Sequence, residues 1–432
     1  MQDDGTMLAD RSVPALRRLL LGEWLGLLAS SASQTSLSWW MASHGGAADL
    51  AIYGSAMALC SVLAMPLLSP LGDRLCKARV VCGARLGLVL EALLLAGLAH
   101  FGHYAFHWIC LCGLASCLAN AALLPAQASL LPELVPAAQL PQAIRLRRRA
   151  QALGSLLGPA LAGAALGLRG SSASLLLSCG LAVAAAAAAW RMSASATPCR
   201  ALPPRSRRPW SAELRAGLRA KWGIELDRWW TLCGALMMVF FQPATGMLLP
   251  LRLQALGLSA GWFGACGAAL SAGLLIGLAG LADALILRLD RVRAIALAVA
   301  LCGLALGGLG LCEQAPGLLL LFALIGICMS VTQLVGQTHR ALAVPDAFRS
   351  RMAAAQLGTA QLAASLAPAL AGFLLLLLDA SLPAIYLIMA GGFLCNGLGL
   401  LLIPELRGFL RLDHEQVRDW YVRRYPMAFK GE

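Results

Sequence analysis

Apolar residues run through this chain in stretches of about 20, the length a helix needs to cross a bilayer core, with short polar breaks between them. Twelve such stretches are legible: 19–42, 51–70, 80–99, 106–130, 150–168 and 171–190, then 229–251, 259–281, 293–312, 316–337, 352–378 and 383–403. Each reads as a transmembrane helix, and many are rich in Gly and Ala, the residues that let helices approach closely in lipid. The pattern predicts an all-α membrane protein of twelve transmembrane helices. No signal-peptide cleavage pattern is evident, so the first span is expected to be retained.

Composition agrees. The chain has 432 residues, 59% of them hydrophobic and only 13% charged, about half the charged fraction of an average soluble protein. That is too little charge to cover a soluble surface. The balance is nevertheless basic, with 34 Lys+Arg against 21 Asp+Glu and a formal net charge of +13. If alternate loops face opposite sides, all the basic residues fall on one side except Arg169 and Arg252. Positive charge gathers in cytoplasmic loops, so both termini are expected in the cytoplasm, with the body in the inner membrane. Charge dispersed over many loops, without aromatic platforms, argues against nucleic acid as a partner.

The longest polar stretch, 191–228, contains Pro203, Pro204 and a cluster of arginines and cannot span. It divides the chain into an N-terminal six-helix bundle (1–190), a cytoplasmic linker (191–228), a C-terminal six-helix bundle (229–404) and a cytoplasmic tail (405–432). Residues 210–228 carry charged and apolar positions at helical spacing, as an amphipathic surface helix or a solvated linker helix would. A weak internal repeat supports the division: Pro159-Ala-Leu-Ala-Gly163 recurs as Pro368-Ala-Leu-Ala-Gly372, and Val135-Pro136 as Val344-Pro345 at the same offset. Parallel six-helix repeats around a midplane site are one architecture of secondary transporters. The fourteen cysteines lie mostly within apolar spans without carboxylate or histidine clusters beside them, and read as small apolar fillers rather than metal ligands.

The loop after the second span reads Ser69-Pro-Leu-Gly-Asp73-Arg74-Leu-Cys-Lys77-Ala-Arg79. It resembles the loop signature of the major facilitator superfamily, with Asp73, Arg74 and Lys77 in place and Ser69, Cys76 and Ala78 departing from it. A carboxylate there can face the positive end of a neighbouring helix, and Arg74, Lys77 and Arg79 can pair with acids of the other bundle. Gly154-Ser-Leu-Leu-Gly158-Pro159-Ala-Leu-Ala-Gly163 resembles that family's antiporter motif; its small residues are equally suited to packing. Residues 123–136, 210–219 and 248–264 are similar to the branch containing siderophore exporters and macrolide efflux proteins. The resemblance implies the major facilitator fold in two six-helix bundles, export rather than uptake, and coupling to protons.

Glu23 and Glu91 are the only acids within the predicted spans and are the proton-coupling candidates, since a carboxylate within a membrane span is often functional. Glu23 shares a helical stripe with Ser30, Gln34 and Ser38. It either faces a cavity or snorkels to the interface and pairs with Arg17 or Arg18. Glu91 sits deeper, on a span that the resemblance places outside the central cavity, where Arg85 is a possible partner. The spans that line the family's cavity carry Asn120, Gln127, Phe241, Gln242, Thr332 and Gln333, a mixture suited to a bulky amphipathic ligand or to ordinary packing.

No phosphate-binding loop is present, so energy would come from an ion gradient, and no catalytic constellation or cofactor is called for. The expectation is a monomeric secondary transporter in the lipid bilayer, exporting a siderophore or similar amphipathic small molecule against protons by alternating access. Two alternatives stand beside it: a lysophospholipid or drug carrier of the same fold, and a transporter-like sensor or scaffold whose tail, 413–421 in particular, docks a partner.

Overall fold

A computed structural model describes residues 3–68, 76–135, 140–195, 219, 221–344, 346–378, 381–417 and 420–426. The described chain is helical: α1 (Asp3–His44), α2 (Gly46–Leu68), α3 (Lys77–His100), α4 (Phe106–Leu134) and the long α5 (Leu140–Ser195), then α6 (Glu225–Thr245), α7 (Leu248–Ala255) and α8 (Ala260–Ile276). After a π turn at Gly277–Leu281 come α9 (Ala282–Leu289), α10 (Arg291–Leu311), α11 (Ala315–Ala343), α12 (Asp346–Leu377) and α13 (Leu382–Leu401). Three short helices close the chain, α14 (Pro404–Arg411), α15 (His414–Val417) and α16 (Trp420–Arg424).

Among the described residues, ten helical stretches are long and apolar enough to cross a membrane. One of them, Leu153–Ala194, is double length and breaks at Gly170, whose φ of 76° lies in the left-handed region that glycine enters at no steric cost. That break makes two spans of one, and α1, which carries the 19–42 run, supplies another, giving twelve. The outer surface suits lipid: Leu168, Leu287 and Leu376 are 84%, 85% and 82% exposed, a cost in water that an apolar solvent removes.

The described chain forms two compact units, Met1–Leu202 with Leu253–Ala268, and Pro203–Arg252 with Ala269–Glu432. In the first, α1 packs along both halves of α5. Ser36 and Ser174 are fully buried at this contact; their hydroxyls lie 2.6 Å apart, and Ser174 donates to the Ala162 carbonyl at 3.1 Å. Hydroxyls in a membrane core need such partners. At the far end of α1, Tyr104 donates to Asp49 Oδ2 at 2.5 Å while its ring stacks on His44.

In the second unit, Gly273 of α8 meets the Ala323 backbone of α11, and Gly326 of α11 meets the Leu270 backbone of α8. This reciprocal approach leaves no room for a side chain. Asp290 (φ 71°) turns the chain between α9 and α10, its side chain capping α10 by accepting from Arg291 N at 2.7 Å. The tail folds back on its own unit. Leu406, Phe409, Leu410, Val417 and Tyr421 are buried against Ile224, Leu226, Val335, Val344 and Leu400.

Candidate functional site

The motif glycines decide how the first unit closes. On α5, a Cβ at Gly154 would stand 2.9 Å from Leu27 Cβ and 3.2 Å from Trp24 O. One turn on, a Cβ at Gly158 would stand 2.6 Å from Ser31 Cβ and 3.1 Å from Leu28 O. Spaced four residues apart, both glycines share one face and draw α1 in to backbone contact. Gly163 lies five residues further and so faces elsewhere: a Cβ there would be 2.5 Å from the Cα of Gly264 on α8. Pro159 abuts Gly267 of the same helix, 2.9 Å from its ideal Cβ.

This close approach of α5 to α1 brings Arg147 to Glu23. Glu23 is 2% exposed, and its Oε2 accepts from Arg147 Nε at 2.7 Å; Oε1 is buried without a hydrogen-bond partner among the described residues. A second guanidinium, Arg85 of α3, lies against Gly26, one turn along α1, within electrostatic reach of Glu23 and 6% exposed. Glu23 therefore pairs with Arg147, 124 residues away, rather than with Arg17 or Arg18. Arg85, in turn, stands beside Glu23 rather than Glu91. Glu91 is half-buried on α3, in electrostatic contact with Tyr53, Cys112 and Cys179.

The remaining sequence candidates are more ordinary in their surroundings. Ser30 donates to Leu27 O at 3.2 Å, Asn120 to Ser116 O at 2.9 Å and Thr332 to Met329 O at 3.0 Å, each one turn back on its own helix. Gln127 is buried, Gln333 half-buried, and Gln34 and Gln242 are exposed. Phe241 is 7% exposed and packs on Phe393 of α13, ring centroids 6.0 Å apart. Of the loop motif, Lys77 opens α3 half-buried and Arg79 is exposed, whereas Asp73 and Arg74 lie outside the described residues. Most of the 210–228 stretch lies outside them too.

A second charged cluster escaped sequence reasoning. Asp227, in the first turn of α6, is fully buried and holds Lys221 Nζ at 2.8 Å and Arg340 Nε at 2.5 Å. Arg340 also donates to Thr231 Oγ1 at 2.6 Å and lies over the Trp230 ring. Tyr421, from the tail, reaches Asp227 Oδ1 at 3.3 Å. Burial lowers the pKa of the Lys221 ammonium from its ordinary value, and Asp227 opposes that shift; burial raises that of the Tyr421 phenol, with Asp227 adding to it. The available signal was a pair of acids, Glu225 and Asp227, opening an apolar span, with a lysine six residues before the second.

The family model described as Major Facilitator Superfamily matches residues 19–316, more than half of the chain. The chain belongs to the major facilitator superfamily. Solved structures share the fold at low identity. The nucleoside transporter NupG superposes with a TM-score of 0.70 at 12% identity, over 92% of this chain and 100% of that one. An auto-inhibited POT family peptide transporter gives 0.68 at 13%, over 90% and 96%. A bacterial homologue of the human lysosomal transporter Spinster gives 0.64 at 12%, over 97% and 98%. No curated protein matches by sequence.

Membership places Glu23 and its guanidinium partners inside a multi-pass transporter.

Proposed function

We propose that this transporter sits in the inner membrane with both termini cytoplasmic and works by proton-coupled alternating access, exporting a siderophore or a related amphipathic small molecule. The observation that carries the reading is Glu23, 2% exposed on the first span and bound through a single oxygen to Arg147. An ionised carboxylate in a dry interior needs a paired cation. Protonation removes the charge that holds Arg147, so the occupied and empty forms favour different arrangements of α1 and α5, as alternating access requires. Glu91, with no ion pair among the described residues, is the second candidate carrier. The Gly154–Gly163 motif supports export by its resemblance to antiporters, and its glycines supply the intimate helix contacts along which such a bundle can shift.

The test is proton-gradient-driven uptake into everted vesicles, which should collapse in Glu23→Gln or Glu91→Gln. Normal transport by both variants overturns the assignment of the carrier. The cargo is tested separately: a deletion strain should retain its siderophore, and normal secretion with unchanged drug tolerance removes this cargo class. Normal siderophore secretion with heightened drug or lysophospholipid sensitivity would instead select the alternative carrier of the same fold.

A further inference from the structure

Arg85 is the charged group that this reading leaves unused. It stands nine residues into α3, within a membrane-spanning stretch, and is 6% exposed. Its guanidinium occupies the place where a Cβ at residue 26 would lie, so Gly26 gives it access to the face of α1 that carries Glu23. Among the described residues it makes no hydrogen bond, and Arg147 binds Glu23 through Nε alone. Two guanidinium groups therefore face one carboxylate, whose Oε1 is itself without a partner. Among the described residues the cluster holds one uncompensated positive charge and a set of unused N–H donors in a buried place, where an unpaired charge is costly.

Guanidinium groups bind carboxylates as planar forks, two parallel N–H···O bonds at a time. We propose that Arg85 and Arg147 form an anion subsite for the carboxylate of a small molecule, with Glu23 as the internal competitor for Arg147. One excess positive charge matches a monoanion while Glu23 is ionised. Neutralising Glu23 releases Arg147 and strengthens the site. Anion and proton then bind together, so the anion is a ligand distinct from any cargo exchanged for protons; the binding event does not rest on the exporter reading above, and the experiment keeps the two apart.

The full-length protein in nanodiscs of phosphatidylcholine alone is titrated with benzoate and, in parallel, with benzamide, its uncharged counterpart, following the shift in thermal unfolding. Benzoate should stabilise saturably and benzamide should not. Arg85→Gln should abolish the effect. Gly26→Ala keeps every charge but pushes the flexible guanidinium aside, and should weaken benzoate by about tenfold or more, the loss of one charge-assisted hydrogen bond. Glu23→Gln should tighten it by about the same factor.

Equal shifts from benzoate and benzamide, or unchanged binding in both Arg85→Gln and Gly26→Ala, overturn the proposal. So does loss of benzoate binding in nanodiscs containing phosphatidylglycerol, which would mean that a lipid phosphate fills the site. Arg85-dependent benzoate binding without proton-driven flux would instead fail the exporter reading alone.

Discussion

Asp227→Asn changes one atom type in the second unit and should be among the most damaging single substitutions there. Asp227 is fully buried, and its two oxygens receive Lys221 at 2.8 Å, Arg340 at 2.5 Å and Tyr421 at 3.3 Å. Asparagine preserves the shape but removes the only charge that opposes the two cations among the described residues, and turns an amide donor toward donors. Breaking a buried ion pair by removing one partner costs about 3–5 kcal/mol. In a unit of this size each kcal/mol moves the melting temperature by roughly 2–4 °C, so a fall of about 6–20 °C is expected. The assay is thermal unfolding of the purified protein in detergent, paired with trypsin digestion at the exposed Arg423 and Arg424 of the tail. Lost anchorage of Tyr421 should make those sites cleave faster in the variant. Adding Lys221→Met to Asp227→Asn should recover part of the loss, because it removes one stranded charge. A variant that melts within ~2 °C of the parent, with a tail equally resistant, would refute the claim that Asp227 holds this cluster together.

Gly163→Ala would place a Cβ 2.5 Å from Gly264 Cα, against an ordinary contact of about 3.5–4.0 Å. The α5 and α8 backbones must part by about 1 Å, and a loss of about 1–3 kcal/mol is expected in the same melting assay. Gly180→Ala, where nothing lies within 4 Å of the new Cβ, should instead be neutral or gain about 0.5–1 kcal/mol from helix propensity; equal effects at the two sites would contradict the packing argument. Burial and the bond to Glu405 push the Tyr425 phenol up to about 12, and Tyr421 is also raised, by burial and Asp227. Both hold their protons more tightly when docked than free. Tail docking should therefore be undiminished below pH 10 and weaken as pH rises toward 12, read by protease sensitivity and by fluorescence of Trp420.

The spans were legible because burying a backbone in lipid imposes a length, and that length is written in consecutive letters. The expected 80–99 and 293–312 runs meet α3 at Lys77–His100 and α10 at Arg291–Leu311. Periodicity placed Glu23 on a polar stripe but offered only sequence neighbours as partners, whereas the partner is 124 residues away on α5. Asp227 meets Arg340 and Tyr421 across 113 and 194 residues. A stripe fixes which way a side chain faces along its own helix; the neighbour it meets depends on crossings set by single glycines such as Gly154 and Gly26. The tail shows the same limit. Its amphipathic pattern was readable and suggested a docking partner, and the apolar face found is that of its own unit, through Phe409, Val417 and Tyr421.

The two units resolve a similar electrostatic problem differently. Each buries one acid near the start of its first apolar span, Glu23 and Asp227, and each sets two cations about it. Around Asp227 both oxygens are engaged, Arg340 is tied further to Thr231 and the Asp227 carbonyl, and a tail tyrosine closes over the group. Around Glu23 one oxygen is empty and one guanidinium makes no hydrogen bond among the described residues. A saturated cluster has nothing to gain from a ligand or a proton and serves to hold its elements together. An unsaturated one gains from either. Similar charges in similar places are therefore satisfied to different degrees in the two units, and the difference turns on how many donors find an oxygen.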